Sequence, residues 1–198
     1  MQQYKTLCEA KTAISKCRHC EPDLPLGAKP IFQLHKDAKI LIAGQAPGRI
    51  THQSGIPFDD PSGKRLREWL QVDEHKFYDP QSFAILPMAF CYPGKAASGD
   101  APPNPACANL WRQPVLNLLP NIELTLLIGN YAQQWHCPNE RATTLTERVK
   151  HWKTQWPTQL ALPHPSPRNN IWLKKNPWFE SDILPRLRAR VREILSSD

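Results

Sequence analysis

The chain has 198 residues, 40% of them apolar and 22% charged, enough to bury a substantial core as a single domain over residues 1–198 without disulfides. No apolar run reaches membrane-spanning length, and the opening MQQYKTLCEAKTAISKC has no apolar core followed by a cleavage site, so a cytoplasmic monomer with no membrane contact is expected. The net charge of +7 favours a polyanionic partner, because a basic surface attracts phosphate and releases its counterions.

In chain order, Thr6 to Lys16 has helical spacing with Leu7, Ala10 and Ile14 on one side, and it delivers Cys17 and Cys20 into a loop. Residues 21–38 are rich in proline, with Ile31, Phe32 and Leu34 expected as a short edge strand. Lys39 to Ala43 is an apolar run without helical spacing, which predicts a strand buried on both faces of a parallel sheet. Gly44-Gln45-Ala46-Pro47-Gly48 carries too many breakers to continue it, so the chain turns at the strand's carboxyl end, where open α/β sheets bind ligands. A long loop is expected next, with Phe58 between Pro57 and the paired carboxylates Asp59 and Asp60.

Gly63 to Val72 predicts a helix burying Leu66, Trp69 and Leu70, with Lys64, Arg65 and Arg67 toward solvent. Phe83 to Leu86 reads as a second strand, and Pro87 marks an edge or the end of pairing, since proline donates nothing to a ladder. Tyr92 to Pro105 is a loop. Cys107 to Leu118 predicts a helix that Pro114 kinks or delays. Leu124 to Ile128 is the third strand, followed by short helices over Tyr131 to Trp135 and Thr146 to Trp152. Leu160 to Leu162 is the fourth strand, opening into Pro163-His164-Pro165-Ser166-Pro167-Arg168-Asn169. A final helix carries Ile183, Leu184, Leu187, Val191, Ile194 and Leu195 on one stripe. Alternating strands and helices predict an α/β fold, a three-layer α/β/α domain around a central four-stranded parallel sheet.

Six cysteines in a cytoplasmic chain do not suggest a disulfide framework. Their spacing points elsewhere: Cys17 and Cys20 form a C-x2-C pair, and Cys91 and Cys107 flank a proline-rich loop. Four thiolates brought together suit an iron-sulfur cluster or zinc. Cys8 and Cys137 are left over, and are expected to be small buried hydrophobes.

In a parallel sheet the loops GQAPG and HPSPRN face one crevice. With the four cysteines, they resemble the uracil-DNA glycosylase superfamily, most closely its iron-sulfur family 4, over most of the chain. Family 4 has a G-E-x-P-G loop and then a G-x-P-F segment, echoed by Gly44 to Gly48 and by Gly55-Ile56-Pro57-Phe58. Its cluster cysteines follow the order of Cys17, Cys20, Cys91 and Cys107, and the superfamily's second catalytic loop begins His-Pro, as at His164 and Pro165. The resemblance implies a 4Fe-4S cluster on those cysteines, with zinc as the alternative. It also implies hydrolysis of the N-glycosidic bond of a flipped-out uracil or other damaged base in DNA.

Such chemistry needs a base-gripping pocket and a donor to the departing base. Phe58 supplies a stacking face, while main-chain groups of Gln45 and Ala46 meet the base edge. Gln45 orients a water, and His164 donates to the developing anion. Asp59, Asp60 and His52 are the candidates for activating water, because the neutral Gln45 amide stands where family 4 has glutamate. Asp60 could instead cap the following helix, in competition with Ser62. Arg168, Asn169, Lys174 and Lys175 are expected to meet DNA, with Trp172 and Trp178 either offering aromatic surface or filling the core. Pro87 occupies the neighbourhood of a uracil-reading asparagine. Two other readings stay open: a non-catalytic iron-sulfur nucleic-acid-binding protein, and an iron-sulfur protein acting on free nucleotides.

Overall fold

The computed structural model describes residues 4–138 and 144–196. Strands β1 (Ile40–Ala43), β2 (Phe83–Ile85), β3 (Leu124–Ile128) and β4 (Gln159–Leu162) form one parallel sheet in the order β2-β1-β3-β4. Each is short and apolar, and the first three are buried throughout, as expected of a sheet covered on both faces.

Side-chain alternation along the strands divides the core into layers. Ile40 and Ile42 of β1, with Leu124, Leu126 and Ile128 of β3, pack beneath α3 (Pro61–Leu70) and α9 (Leu184–Leu195). Leu41 and Ala84 face the other way, toward α1 (Leu7–Ser15) and α5 (Pro105–Leu116). Burying each such side chain contributes roughly 1.5–3 kcal/mol, so a one-residue slip that exchanged the faces would be costly. The three-layer α/β/α architecture thus follows from two apolar stripes on each strand. In α9 the predicted stripe is realised by Leu184, Leu187, Val191 and Ile194, and a π-helical turn over Phe179–Ile183 leads into it.

Several local expectations change. The edge strand around Ile31 reduces to one antiparallel bridge between Gln33 and Ile85. The long loop after β1 contains α2 (Arg49–Ser54), closed by Gly55 at φ 79. Two other short helices went unforeseen, α4 (Glu74–Phe77) and α8 (Asn170–Lys175). The α5 helix starts at Pro105 behind the Asn104 cap and runs on through Pro114. The helices α6 (Asn130–His136) and α7 (Leu145–Lys150) lie close to their predicted places, α7 beginning with a Thr144–Glu147 capping box. Cys8 is exposed and Cys137 only half-buried, so neither is the buried hydrophobe expected. Arg65 and Arg67 turn inward: Arg65 donates to the Ser166 carbonyl at 3.0 Å, and Arg67 lies over the Phe77 and Tyr78 rings.

Backbone bonding fixes the corner after β1. The Leu86, Met88 and Ala89 amides donate to the carbonyls of Ile42, Gly44 and Gln45 at 3.0, 2.9 and 3.0 Å. The ladder therefore outlasts the strands and reaches into GQAPG. Pro87 falls between the donors Leu86 and Met88, so its missing N–H faces the outer edge, past the Gln33–Ile85 bridge.

The corner before α3 is equally constrained. Phe58 sits at φ 57, a left-handed conformation rare for a bulky residue. A Cβ on Gly63 would lie 1.7 Å from the Phe58 carbonyl oxygen, so only glycine lets the helix approach this closely. Asp60 caps α3 by accepting from the Gly63 amide at 2.8 Å, which settles its competition with Ser62. Gly63→Ala should lower unfolding free energy by about 3 kcal/mol through overpacking against backbone, measured by urea denaturation. A loss below about 1 kcal/mol would show that the approach is loose.

Candidate functional site

The strand order places β2 and β3 on opposite sides of β1. Connections after β1 and β3 diverge there and open a crevice at the carboxyl ends of the strands. A cavity of about 480 Å³ occupies it, within the range of small-molecule sites. One wall is the corner Gly44 to Gly48, another is His164 with Ser166 to Asn169, and Phe58 and Pro87 are among the residues that line the space between them.

The structure brings together Gln45, Ala46, Phe58, Asp60, His164, Arg168 and Asn169 around this cavity. Gln45 accepts at its backbone carbonyl from Ala89, and its side-chain amide donates to the Ala101 carbonyl at 3.4 Å. Its amide oxygen takes no hydrogen bond among the described residues, leaving it available to a bound water. The Phe58 ring tip lies against Gly44, where a Cβ would stand 3.3 Å from it, and Phe77 meets the ring edge-on at 6.3 Å.

His164 hangs from the end of β4. The Asn169 side-chain amide donates to its carbonyl at 2.7 Å, and the Arg65 bond to Ser166 ties the same loop to α3. Burial pushes the His164 imidazole below its ordinary pKa, with the Asp60 and Asp100 carboxylates pulling the other way. Neutral imidazole is the form that prevails near pH 7, with one N–H to donate.

Other predicted residues stand elsewhere. His52 is not among the lining side chains: its ring tilts against Tyr92 at 6.0 Å, and burial and Lys29 hold its pKa down. Asp59 does not line the cavity either, and Asp60 lines it with one carboxylate oxygen committed to the helix cap. Lys174 and Lys175 are exposed on α8 away from the lining. Trp172 and Trp178 are half-buried and pack against the main core, with Trp172 Nε1 bonded to Thr146 Oγ1 at 2.9 Å. Asp100, which sequence reasoning missed, does line the cavity. The available signal was its being the single acidic residue between Cys91 and Cys107.

Cys17, Cys20, Cys91 and Cys107 ring a second, smaller cavity together with Phe90 and Pro93. Burial raises the thiol pKa to about 11 at Cys91 and about 12 at Cys107. Deprotonating them requires a cationic ligand in the ring. Among the described residues no group of three or more His, Cys, Asp or Glu side chains is arranged to hold a metal ion.

Behind the cavity floor lies a buried cation. Arg112 of α5 is 1% exposed and donates to the Leu86 and Pro87 carbonyls at 2.9 and 3.3 Å. Its guanidinium also meets His136 Nε2 at 2.7 Å and lies over the Trp135 ring. Burial lowers its pKa to about 9, and burial together with Arg112 drives His136 down to about 3. His136 Nε2 is therefore the acceptor, with the proton on Nδ1.

The family model of the Uracil DNA glycosylase superfamily matches residues 32–188, which take in both corners of the cavity. The solution NMR structure of a candidate uracil DNA glycosylase from Methanosarcina acetivorans superposes with a TM-score of 0.49 at 13% identity, over 81% of this chain and 98% of that one.

The fold accepts only neutral His136, whereas an unfolded histidine titrates near ~6.5. Its contribution to stability is whole above that value and is lost as pH falls toward the folded value of about 3. His136→Asn keeps an acceptor for Arg112 and removes the titration. Thermal unfolding should show the wild type losing more stability than this variant between about pH 7.5 and about pH 5. Parallel curves would contradict the assignment.

Proposed function

The chain belongs to the uracil DNA glycosylase superfamily, and on that premise we propose that it is a DNA glycosylase of the iron-sulfur family 4 type, removing a flipped-out deaminated or otherwise damaged base. The observation that carries this reading is the convergence of GQAPG, Phe58 and HPSP on one base-sized cavity.

Each step has a named group. A nucleotide leaves the stack and its base lies on the Phe58 ring. Main-chain groups of Gln45 and Ala46 meet the base edge, held rigid by the ladder from Met88 and Ala89. As the C1′–N bond breaks, its electron pair goes to the base and cationic character grows on the sugar. Neutral His164 donates its N–H to the developing anion, where fixed dipoles in a partly dry site act strongly. A water held by the Gln45 amide oxygen adds to C1′. Arg168, exposed at the rim, meets phosphate, and the +7 net charge favours a polymer over a free nucleotide.

Pro87 in the floor has no amide with which to read a base. Discrimination then falls to backbone groups and cavity shape, which suits a preference other than uracil as readily as uracil itself. The four thiols that line the second cavity would hold a 4Fe-4S cluster, with zinc as the alternative. Such a cluster would hold the segment from Cys91 to Cys107, with no part in hydrolysis. Protein purified without oxygen should carry iron and sulfide; zinc in their place would overturn the cluster.

The test is incubation with oligonucleotides bearing uracil, hypoxanthine, xanthine or alkylated bases, followed by alkali to reveal abasic sites. One or more should be cleaved, and His164→Ala should slow cleavage by about 100-fold or more without loss of folding. Binding without cleavage on every substrate would instead favour a nucleic-acid-binding protein on the same fold.

A further inference from the structure

The attacking water needs a proton acceptor, and the residues first suspected do not supply it. His52 is off the cavity wall, and Asp60 spends one oxygen on the Gly63 amide. Gln45 cannot take a proton. The segment between Cys91 and Cys107 brings in another carboxylate.

That segment leaves the cysteine ring, reaches the mouth of the larger cavity and returns. Near its tip Lys95 and Asp100 form an antiparallel bridge, closed by Ala96 N–H to Gly99 O at 3.0 Å and Ala101 N–H to Gly94 O at 2.8 Å. Gly94 and Gly99 take φ of 96 and 90, which glycine alone adopts freely. The tip is docked at several points. Gln45 donates to Ala101, a Cβ on Gly99 would meet Arg168 Nη1 at 2.5 Å, and Asp100 Oδ2 lies 3.4 Å from where a Cβ on Gly48 would stand.

Asp100 and Asp60 are the carboxylates lining the cavity among the described residues. Asp100 makes no ion pair and no side-chain hydrogen bond there, so both of its oxygens are available, and it sits on the same segment as the Ala101 contact to Gln45.

We propose that Asp100 is the general base for the glycosylase reaction, an inference that rests on the function proposed above. The water held by Gln45 gives one proton to the Asp100 carboxylate as its oxygen bonds to C1′. The electron pair of the broken C1′–N bond leaves with the base, which His164 stabilises. Cys91 and Cys107 lie at the two ends of the segment and line the second cavity, so a group held there would fix where Asp100 stands.

Asp100→Asn keeps the shape and removes the proton acceptor. On a substrate the wild type cleaves, its single-turnover rate should fall about 100- to 10,000-fold, while affinity for an uncleavable oligonucleotide changes less than about threefold and thermal stability is kept. A rate within about threefold of wild type overturns the proposal, as does a rate loss matched by an equal loss of binding. A second readout needs no turnover. Asp60, Asp100 and Arg168 are the charged groups sharing the cavity with His164, and removing the Asp100 charge should lower the His164 titration midpoint seen by NMR. An unchanged midpoint overturns the placement. A wild type inert on every substrate would defeat the glycosylase reading and this role together, whereas an active Asp100→Asn defeats this role alone.

Discussion

The site depends on a hydrogen-bond ladder that continues after its strands have ended. Met88 and Ala89 donate to the carbonyls of Gly44 and Gln45, so a glycine- and proline-rich turn that would otherwise be mobile is held as firmly as a strand. Pro87 can stand in the middle of this run because its side of the backbone faces the sheet edge. The same run passes behind the cavity floor to Arg112, which ties up the Leu86 and Pro87 carbonyls from the other layer. The groups of Gln45 and Ala46 that line the cavity are thereby fixed before any ligand arrives, which is the preorganisation that the proposed electrostatic catalysis would need.

The opposing corner is held by side chains. Asn169 and Arg65 occupy the carbonyls of His164 and Ser166, and buried Gln133 donates to the carbonyls of Leu127 and Leu162 at the ends of β3 and β4. Such polar links inside a packed core rigidify a site only when each is satisfied. Phe58 is strained at φ 57 and wedged by Gly63, so its ring has little freedom to turn away from the cavity. Two corners and one ring, built by different means, thus present a rigid slot to whatever enters.

Much of this was legible in the residues because apolar runs and breakers report local geometry directly. The strands follow from apolar runs, the turn at Gly44 from its breakers and the stripe of α9 from periodicity; of the two expectations for Pro87, an edge or the end of pairing, the edge is the one found. The short helices α2, α4 and α8 escaped because one or two turns rich in polar side chains carry too little periodicity to stand out. The tryptophans at 172 and 178 read equally as surface or core, since spacing cannot tell which face a tertiary neighbour covers. Asp100 was hidden for a different reason: the two corners it faces, Gly44 to Gly48 and His164 to Asn169, lie more than fifty residues before and after it, and nothing local marks it.

The central claim is that the slot between Gln45, Phe58 and His164 receives a single base drawn out of DNA. A crystal structure with an oligonucleotide carrying an uncleavable fluorinated analogue of the excised nucleotide tests it most directly. The account predicts the analogue's base flat against the Phe58 ring, with its edge on the Gln45 and Ala46 main chain and His164 at the glycosidic side. DNA bound with that base still stacked in the helix, or seated on another face of the protein, would contradict it.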